Sequence, residues 1–552
     1  MDLTGAEIIT GLLERHGIEV IAGIPGGSNL PLYNALYKSK IRHILTRHEQ
    51  GAGFIAQGMA RSTGKAAVCF ATSGPGATNL ITAIADAKLD SVPIIAITGQ
   101  VPTSLIGTDA FQEVDMYGMS IPITKHNFLV RSPEELFEVI PEAFRIAVSG
   151  RPGPVVIDIP KDVQQKRVTF DNWPDIINSK IDTTINNELL EKAAEMINNA
   201  KRPVLYIGGG IIQSEAFGSL YTLAHKNSIP VASTLMGLGA FRCDDPLYLG
   251  MLGMHGSRAT NRIIHECDLL IVLGARFDDR ATGIISQFCP NAKVIHVDID
   301  SSEINKLRTA SIAINADLGQ AIKGLADRVP QDFRNEWVDY ITDLKNVAVY
   351  PPESNDPLHP VRIIRSVAAL ADSDAIITTD VGQHQMWVAQ SYPFSKPRTL
   401  LTSGGLGTMG FGLPAAIGAS LANPSKQVIC FSGDGSLLMN IQELATLADL
   451  GLNVKVILLN NGHLGLVRQQ QELFFDGNYI ASRFISNPDF LAIAKGFGIE
   501  SFNVDETSEF ASKLSSILSK QGPSLVNIPV HPGHNVFPMV PPGSANHQMI
   551  GE

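Results

Sequence analysis

Residues 433–461 read "GDGSLLMNIQELATLADLGLNVKVILLNN", and this stretch decides the fold class. It overlaps "QVICFSGDG" at its start and finishes with "VKVILLNN", two largely apolar runs that predict strands buried on both faces. Between them apolar side chains recur at helical spacing, at Ile441, Leu444, Leu447 and Ala448. Gly451 stands where such a helix would end. The stretch is therefore predicted to be one βαβ unit, whose two strands are parallel.

Two polar side chains, Asp434 and Asn461, follow the two predicted strands. The carboxyl ends of parallel strands meet at one edge of a sheet, where open α/β folds bind ligands. A carboxylate and an amide oxygen suit Mg²⁺, and Gly433 and Gly435 let the backbone approach a diphosphate at the next helix N-terminus. Taken singly, GDG is a tight turn and NN a strand end. Their joint placement on one βαβ unit favours a metal and diphosphate site.

Length and composition indicate an ordinary globular chain of several domains. The chain has 552 residues, more than one hydrophobic core usually holds, with 44% hydrophobic and 18% charged residues. A net charge of -11 argues against a nucleic-acid-binding surface. Strand-like and helical patterns alternate throughout, which predicts an α/β fold with doubly wound parallel sheets.

Two polar stretches, 164–187 and 350–360, interrupt this alternation and predict domains at 1–175, 185–345 and 360–545. The outer two carry glycine-rich turns after strands. The middle one contains "RPVLYIGGG", "LLIVLGARFDDR" and "VIHVDID". A strand that ends in acids suits ribose hydroxyls, but without a full GxGxxG motif a nucleotide site is only weakly indicated there.

Cysteine usage and the first residues bear on the compartment. The five cysteines form no CxxC pair, and three stand in or beside apolar runs, which is typical of reduced, buried thiols. The first seventeen residues predict an amphipathic helix capped by Thr4 rather than a signal peptide, and no apolar run reaches bilayer length. We expect a cytoplasmic protein without a membrane partner.

Longer strings carry a family resemblance. The GDG-to-NN segment resembles the thiamine-diphosphate motif of 2-keto acid enzymes, and "RHEQGAGFIAQGMAR" with "GPGATN" resembles their pyrimidine-binding domain. Further strings, spread over most of the chain, resemble the acetohydroxyacid synthase family and its isozyme I subgroup: "GTDAFQEVD", "ITKHNFLV", "SGRPGPVVIDIPKDVQ", "LGMLGMHG", "GARFDDR", "TTDVGQHQMW" and "GGLGTMGFGLPAAIGA". The resemblance implies a pyrimidine-binding first domain, an FAD-binding middle domain and a diphosphate- and Mg²⁺-binding third domain.

The resemblance also implies an activity and partners. Such enzymes decarboxylate pyruvate on thiamine diphosphate and join the hydroxyethyl carbanion to a second pyruvate or to 2-ketobutyrate. The products, 2-acetolactate and 2-aceto-2-hydroxybutyrate, lead to valine, leucine and isoleucine. Their active sites lie between the first domain of one chain and the third domain of another, which implies a homodimer or larger assembly. A small regulatory subunit is also implied.

By resemblance, Glu49 contacts the pyrimidine nitrogen of the cofactor and starts removal of the thiazolium C2 proton; a solvated or capping carboxylate is the alternative. Met409 matches the apolar wedge beneath the bent cofactor, and is otherwise a core methionine. The Mg²⁺ ligands would be Asp434, Asn461 and the main-chain oxygen of His463. The resemblance assigns the cofactor these contacts: Gln383, His384, Gly407, Met409, Gly433, Asp434, Gly435, Ser436, Asn461, His463, Leu464 and Gly465.

Arg280 resembles the arginine that grips the acceptor carboxylate, with Gln112 and Lys161 lining the same channel. A salt-bridged loop within "RFDDR" is the alternative for this cluster. The family's FAD, expected to be non-redox because the reaction has no net redox step, would contact Arg151, Gly209, Leu252, Gly253, Met254, His255, Gly256, Gly274, Ala275, Arg276, Phe277, Asp278, Asp298 and Asp317.

One position departs from many members of the family. Gln470 stands where they have a tryptophan that favours 2-ketobutyrate over pyruvate as acceptor. Loss of an aromatic wall removes apolar contact with one methylene, about 1–3 kcal/mol in a typical pocket, so we expect weak acceptor preference. The alternative is that Gln470 is a solvated helix residue and another side chain forms the wall.

Four other functions share part of this pattern. A pyruvate decarboxylase or pyruvate oxidase would share the thiamine and metal sites, but the complete "RFDDR" and "FQEVD" strings argue against both. Glyoxylate carboligase resembles this family with an apolar residue in place of Glu49. A paralogue that only binds nucleotide would have lost Glu49, Asp434 or Asn461, and all three are present.

Overall fold

The computed structural model of the protein describes residues 1–176, 185–347, 356–505 and 510–551. Both polar stretches that were predicted to separate domains lie partly outside the described residues. Within the described ranges the chain forms three six-stranded sheets and one two-stranded ribbon. Neighbouring strands of all three large sheets run parallel, with helices between them. The prediction of an α/β fold with three parallel-sheet domains is confirmed.

The first domain contains strands β1 to β8 and helices α1 to α8. Its strands are β1 Asp2–Thr4, β2 Val20–Gly23, β3 Arg42–Leu45, β4 Ala67–Ala71, β5 Ile94–Gln100, β6 His126–Leu129, β7 Val155–Pro160 and β8 Arg167–Thr169, with β1 and β8 forming the antiparallel ribbon. Its helices are α1 Gly5–Arg15, α2 Leu30–Leu36, α3 Glu49–Thr63, α4 Pro75–Asn79, α5 Ile81–Leu89, α6 Met116–Ser120, α7 Leu136–Val148 and α8 Lys161–Gln165.

The middle domain contains strands β9 to β14 and helices α9 to α15. Its strands are β9 Pro203–Ile207, β10 Val231–Ser233, β11 Tyr248–Met251, β12 Leu269–Leu273, β13 Lys293–Asp298 and β14 Ile312–Asn315. Its helices are α9 Asn187–Asn199, α10 Gly209–Ser214, α11 Phe217–Lys226, α12 Arg258–Glu266, α13 Asp279–Thr282, α14 Leu318–Arg328 and α15 Asn335–Asn346.

The third domain contains strands β15 to β20 and helices α16 to α23. Its strands are β15 Ile376–Thr379, β16 Leu400–Leu401, β17 Val428–Gly433, β18 Val454–Asn460, β19 Glu500–Asn503 and β20 Ser524–Pro529. Its helices are α16 Pro360–Leu370, α17 Gln383–Ser391, α18 Gly412–Ala422, α19 Asp434–Leu437, α20 Glu443–Leu450, α21 Gly465–Phe474, α22 Phe490–Gly496 and α23 Phe510–Ser519.

The βαβ unit predicted at 433–461 is present as β17, α20 and β18. The two strands pair in parallel along their length, and Gly451 ends α20 in the left-handed region with φ 58°. Only the short helix α19, which begins directly at Asp434, was not predicted. The carboxyl ends of both strands therefore lie at one edge of the third sheet, as the pattern required.

Strand order distinguishes the middle sheet from the outer two. When strands are counted within each six-stranded sheet, the first and third sheets both have the order 2-1-3-4-6-5, whereas the middle sheet has 3-2-1-4-5-6. The latter is the order of doubly wound dinucleotide-binding sheets, which bind ligands where the strand order reverses. That reversal lies between β9 and β12 in the middle domain, and between β15 and β17 in the third.

The first and third domains pack through α3 and α18. A Cβ added to Gly58 would fall on the carbonyl oxygen of Ala415, and one added to Gly418 would fall on the carbonyl oxygen of Ile55. The two backbones therefore touch at a crossing that only glycine permits. This reciprocal contact fixes how the two domains of one chain lie against each other.

Two smaller expectations are met. Thr4 caps α1 in a capping box with Glu7. All five cysteines are free thiols, four of them buried. Across the described ranges, no helix has the length and apolar character needed to span a bilayer.

Candidate active site

The carboxyl edge of the third sheet brings Asp434 and the loop after β18 together. Asp434 is 1% exposed, and its Oδ2 accepts hydrogen bonds from the backbone N–H of Gly462 at 2.8 Å and from Nδ2 of Asn487 at 2.9 Å. Burial raises the pKa of this carboxyl group. Asn461 lies in the same loop, where its Oδ1 accepts from the backbone N–H of His463 at 3.0 Å. The three predicted metal ligands are thus neighbours.

The chemistry of this group suits Mg²⁺. One carboxylate, one amide oxygen and one main-chain oxygen are hard ligands that leave positions for phosphate and water. No set of three His, Cys, Asp or Glu side chains among the described residues is arranged to hold a metal ion. The predicted Mg²⁺ site does not require such a set. Of its three ligands, only Asp434 binds through a His, Cys, Asp or Glu side chain.

His384 and Gln383 lie at the start of α17, where the strand order of the third sheet reverses. His384 is buried, desolvation lowers its pKa to about 3, and within the described residues its Nε2 has no hydrogen-bond partner. Gln383 accepts from Nδ2 of Asn461 at 3.3 Å and donates to Oε1 of Gln469 at 2.9 Å. A buried, unpartnered imidazole nitrogen beside a helix N-terminus fits a phosphate-bearing ligand.

The small residues of the predicted diphosphate set complete one contiguous cluster. A Cβ on Gly433 would lie 2.9 Å from Nδ1 of His384, and one on Gly435 would lie 2.7 Å from Leu464. A Cβ on Gly465 would fall on Oε1 of Gln383. Ser436 accepts from the backbone N–H of Gly433 at 3.3 Å. The close packing of this cluster therefore requires glycine at these three positions.

Two residues of this site were missed from the sequence. Asn487 bonds both Asp434 and, at 2.7 Å, Asn460, yet it lies in an irregular loop that carries no recognisable signal. Asp380 ends "TTD" directly after β15, and its carboxylate accepts from the backbone N–H of Gly410 at 2.8 Å. Burial raises the pKa of Asp380 to about 6. An acid directly after a predicted strand is a signal by which Asp380 could have been found. This place in the chain puts Asp380 next to Met409, whose side chain is half-buried.

Glu49 begins α3 and is 8% exposed. Its Oε2 accepts from Nδ2 of Asn79 at 2.9 Å, and a Cβ on Gly76 would lie 3.3 Å from its Oε1. The helix is capped instead by His48, whose ring accepts from the backbone N–H of Gln50. The carboxylate is therefore neither a solvated group nor the cap, and it faces the "GPGATN" loop.

Gln112 and Lys161 belong to the same domain as Glu49. The backbone of Gln112, which has φ 58°, lies against Gly74 of the "GPGATN" loop. Lys161 is half-buried at the start of α8. The recorded contacts of Glu49 are all in the first domain, and those of Asp434 are all in the third. Each domain thus assembles its own half of the predicted site.

A cavity of about 600 Å³ lies where the strand order of the middle sheet reverses. Its floor is formed by the glycine loops that follow β9 and β12, and its far wall by the third domain. Most residues predicted to contact FAD line it: Arg151, Gly209, Leu252, Met254, His255, Gly274, Ala275, Arg276, Asp278, Asp298 and Asp317. Gly253, Gly256 and Phe277 do not, and Phe277 packs in the core beside Tyr206 and Phe288.

Both acidic and basic groups border this cavity. Asp298 ends β13, and burial raises its pKa to about 6. Asp317 caps α14 by accepting from the backbone N–H of Gln320 at 3.0 Å. Arg151 of the first domain pairs with Asp300 at 3.1 Å and with Glu303 at 2.8 Å. Strand-end carboxylates suit ribose hydroxyls, so the volume, the position and the donor set fit a dinucleotide such as FAD.

Arg280, Gln470 and Gly407 line the same cavity. The Arg280 side chain is 68% exposed, and its closest acid, Asp279, is 3.7 Å away and exposed as well. The guanidinium therefore remains accessible, and the salt-bridged-loop alternative amounts to one long surface pair. Gln470 is exposed on α21. It both faces solvent and lines the cavity, so its two interpretations stay open.

Comparison with known proteins agrees with these three domains. Residues 3–119, 190–325 and 380–528 match the N-terminal TPP-binding, central and C-terminal TPP-binding domains of thiamine pyrophosphate enzymes. The chain is 57% identical to the acetolactate synthase isozyme 1 large subunit of Escherichia coli (strain K12), over 100% of this chain and 98% of that one. It is 45% identical to the isozyme 2 large subunit of the same strain, over 99% of each chain. It is also 45% identical to a probable acetolactate synthase large subunit of Methanocaldococcus jannaschii, over 98% and 94%.

Proposed function

The chain belongs to the acetolactate synthase large-subunit family of thiamine pyrophosphate enzymes, and from that premise we propose how its residues divide the work. The activity is that of a thiamine-diphosphate-dependent acetolactate synthase, a carboligase of branched-chain amino acid biosynthesis. The substrates are pyruvate and, as alternative acceptor, 2-ketobutyrate. One observation supports this assignment of roles above all: Glu49 is buried in the first domain, and Asp434 with its cluster is buried in the third.

Mg²⁺ is held by Asp434, Asn461 and the main-chain oxygen of His463. The neutral His384 and Gln383 orient the cofactor's diphosphate. Bound thiamine diphosphate supplies the carbon nucleophile and the electron sink for loss of CO₂ from a 2-keto acid. Glu49, held by Asn79, shares a proton with the pyrimidine ring nitrogen in a water-poor surrounding, which is the general acid–base role that a buried carboxylate fits.

The active site lies between two chains. The contacts of Glu49 and of Asp434 within one chain support this, because each stays inside its own domain. Large apolar side chains stand exposed on both domains and would be covered by a second copy: Phe111 at 88% and Ile121 at 59% on the first, Ile480 at 78% and Ile485 at 105% on the third. The relatives' name "large subunit" supports a small partner subunit as well.

FAD occupies the cavity of the middle domain as a non-redox group. The strand order and the cavity at its reversal point support this, although the GxGxxG motif is absent. Arg280, at the rim, binds the carboxylate of the acceptor, and Gln470 borders the acceptor side chain. The five free thiols support work in a reducing compartment such as the cytoplasm.

Turnover of pyruvate by the purified chain, with Mg²⁺ and thiamine diphosphate and with or without FAD, tests this proposal. We expect acetolactate only when FAD is present, and comparable use of 2-ketobutyrate and pyruvate in competition. Acetaldehyde as the product would contradict the assignment of Arg280 to the acceptor. Acetolactate formed at full rate without FAD would contradict the flavin assignment alone.

A further inference from the structure

A buried charged cluster of the first domain reaches across to the third. Arg61 lies in α3, Asp86 in α5, and Asp90 directly after α5, and their side chains are 7%, 0% and 1% exposed. Nη2 of Arg61 lies 3.1 Å from Oδ2 of Asp86 and 2.8 Å from Oδ2 of Asp90. We call these three residues the Arg61 cluster. Two carboxylates share one guanidinium, so the cluster needs further hydrogen-bond donors to be stable in a dry interior.

Those donors come from the loop at 402–408 in the third domain. Asp90 accepts from the backbone N–H groups of Gly404, at 2.9 Å, and Gly405, at 2.7 Å. Asp86 accepts from the hydroxyl groups of Ser403 and, at 3.0 Å, Thr408. Arg61 donates to the carbonyl oxygen of Thr402 at 3.0 Å. The cluster therefore holds this loop from end to end.

The loop leads directly into Met409. Beyond Met409, Gly410 is held on the other side by Asp380, which accepts from its N–H, and by Asn440, which donates to its carbonyl oxygen at 2.8 Å. The loop contains three glycines and so has little stiffness of its own. Before Met409 the loop is held by the first domain and also by Gln385 of the third domain, which donates to Thr402 and Ser403 at its start. After Met409 it is held by the third domain alone, so the segment from 404 to 408 depends on the first domain for its bonds to other elements.

Joining the two domains does not require this cluster. The α3–α18 crossing already does so through direct backbone contact at Gly58 and Gly418. Buried ion pairs are also a poor means of adding stability, because desolvation offsets most of their attraction. The charged groups contribute geometry rather than stability, because each carboxylate oxygen fixes the position of one hydrogen-bond donor in the loop.

We propose that Arg61, Asp86 and Asp90 are positioning residues for catalysis, which fix the backbone at Met409 for its support of the bent cofactor. The proposal rests on the proposed role of Met409. It gives the first domain a second task. Glu49 contacts the cofactor directly. The Arg61 cluster, in the same domain, instead fixes the 402–408 loop in the third domain of its own chain.

Asp90→Asn tests the proposal, since the amide keeps the size but lacks one acceptor and the charge. Asp245→Asn is the matched control, because Asp245 is a buried carboxylate whose backbone N–H and histidine partners both lie in the middle domain, outside the loop. Two experiments are made: hydrogen–deuterium exchange of the 402–411 segment in the cofactor-free chain, and steady-state kinetics of the reconstituted enzyme, which give kcat and KM.

For Asp90→Asn we expect faster exchange in that segment, and a kcat lower by about 100-fold with the KM for pyruvate within about twofold. For Asp245→Asn we expect both to stay at the unsubstituted values. Unchanged exchange and kcat in Asp90→Asn would overturn the proposal, as would an equal loss in both variants.

Thr408→Val keeps the test decisive if Asp90→Asn does not fold. It removes one hydroxyl bond to Asp86 without changing shape or charge. We expect the same pattern at smaller size, about tenfold in kcat. No change in exchange or kcat would overturn the proposal. If the unsubstituted chain makes no acetolactate, the proposed function fails, and the exchange comparison in the cofactor-free chain then decides on the cluster by itself.

Discussion

The first and third domains have the same strand order and pack through equivalent helices, yet they carry complementary chemistry. In each, the helix at the crossing follows the second strand of the sheet: α3 in one and α18 in the other. Glu49 begins α3, whereas Gly412 begins α18. Asp434 follows the third strand of its six-stranded sheet, whereas Thr72 stands at the corresponding place in the first domain's sheet. One strand order thus positions the two different halves of the proposed site, which differ in the residues that follow the strands and begin the helices.

Glu49→Gln tests the first domain's half and has the largest expected effect. The amide keeps the hydrogen bond geometry but cannot exchange a proton, so we expect kcat to fall by about 10³-fold. Thiamine diphosphate affinity should change little, because the proposed diphosphate contacts are in the third domain. Steady-state kinetics and calorimetric titration measure the two quantities. Loss of cofactor binding in step with kcat would contradict this division.

Part of this comparison was accessible from the sequence. The βαβ unit, the α/β class and the Asp434 and Asn461 pair followed from periodicity and glycine placement, and the remaining site residues came from the family resemblance. The strand order that the two outer sheets share could not be predicted from the sequence, because it depends on pairing between distant segments. The dinucleotide-type order of the middle sheet was also hidden, since its glycines at 208–210 do not form the GxGxxG spacing.

Contacts between distant residues were likewise out of reach. Asn487 lies 53 positions from Asp434, and Asp86 lies 317 positions from Ser403. Neither pair is linked by a helix or strand repeat that a pattern can detect. Such contacts arise only once whole domains pack, so periodicity predicts the elements but not these partners.

Gly58→Ala breaks the crossing that relates the two domains. The added Cβ would overlap the carbonyl oxygen of Ala415, and two backbones cannot separate there without moving a domain. We expect destabilisation of about 1–3 kcal/mol, measured as a lower thermal unfolding midpoint. Gly218→Ala in α11 is the control, because its Cβ would meet nothing within 4 Å. That variant should be neutral or more stable by up to about 1 kcal/mol. Equal midpoints would contradict the packing argument.

Asn487→Ala affects only the third domain's half. Asn487 orients the carboxylate of Asp434 without being a proposed ligand, and the loss of such a partner typically weakens metal binding about 10–100-fold. We expect the Mg²⁺ concentration for half-maximal activity to rise by that factor, with kcat restored at saturating Mg²⁺. Asn503→Ala, a polar change elsewhere in the domain, should leave the Mg²⁺ dependence unchanged. A lower kcat at saturating Mg²⁺ would instead indicate a role in the chemical step.

Gln470→Trp concerns a position at the cavity shared by the middle and third domains, and has the smallest expected effect. Restoring an aromatic wall adds apolar contact with the extra methylene of 2-ketobutyrate, worth about 1–3 kcal/mol, so the preference for this acceptor should rise about tenfold. Gln470→Leu supplies less apolar surface and should give an intermediate value. Product ratios from competition between the two acceptors measure the preference, while the rate with pyruvate alone reports any damage to the earlier steps. An unchanged ratio in both variants would mean that Gln470 is only a solvated residue of α21, and that the acceptor is bounded by side chains from elsewhere.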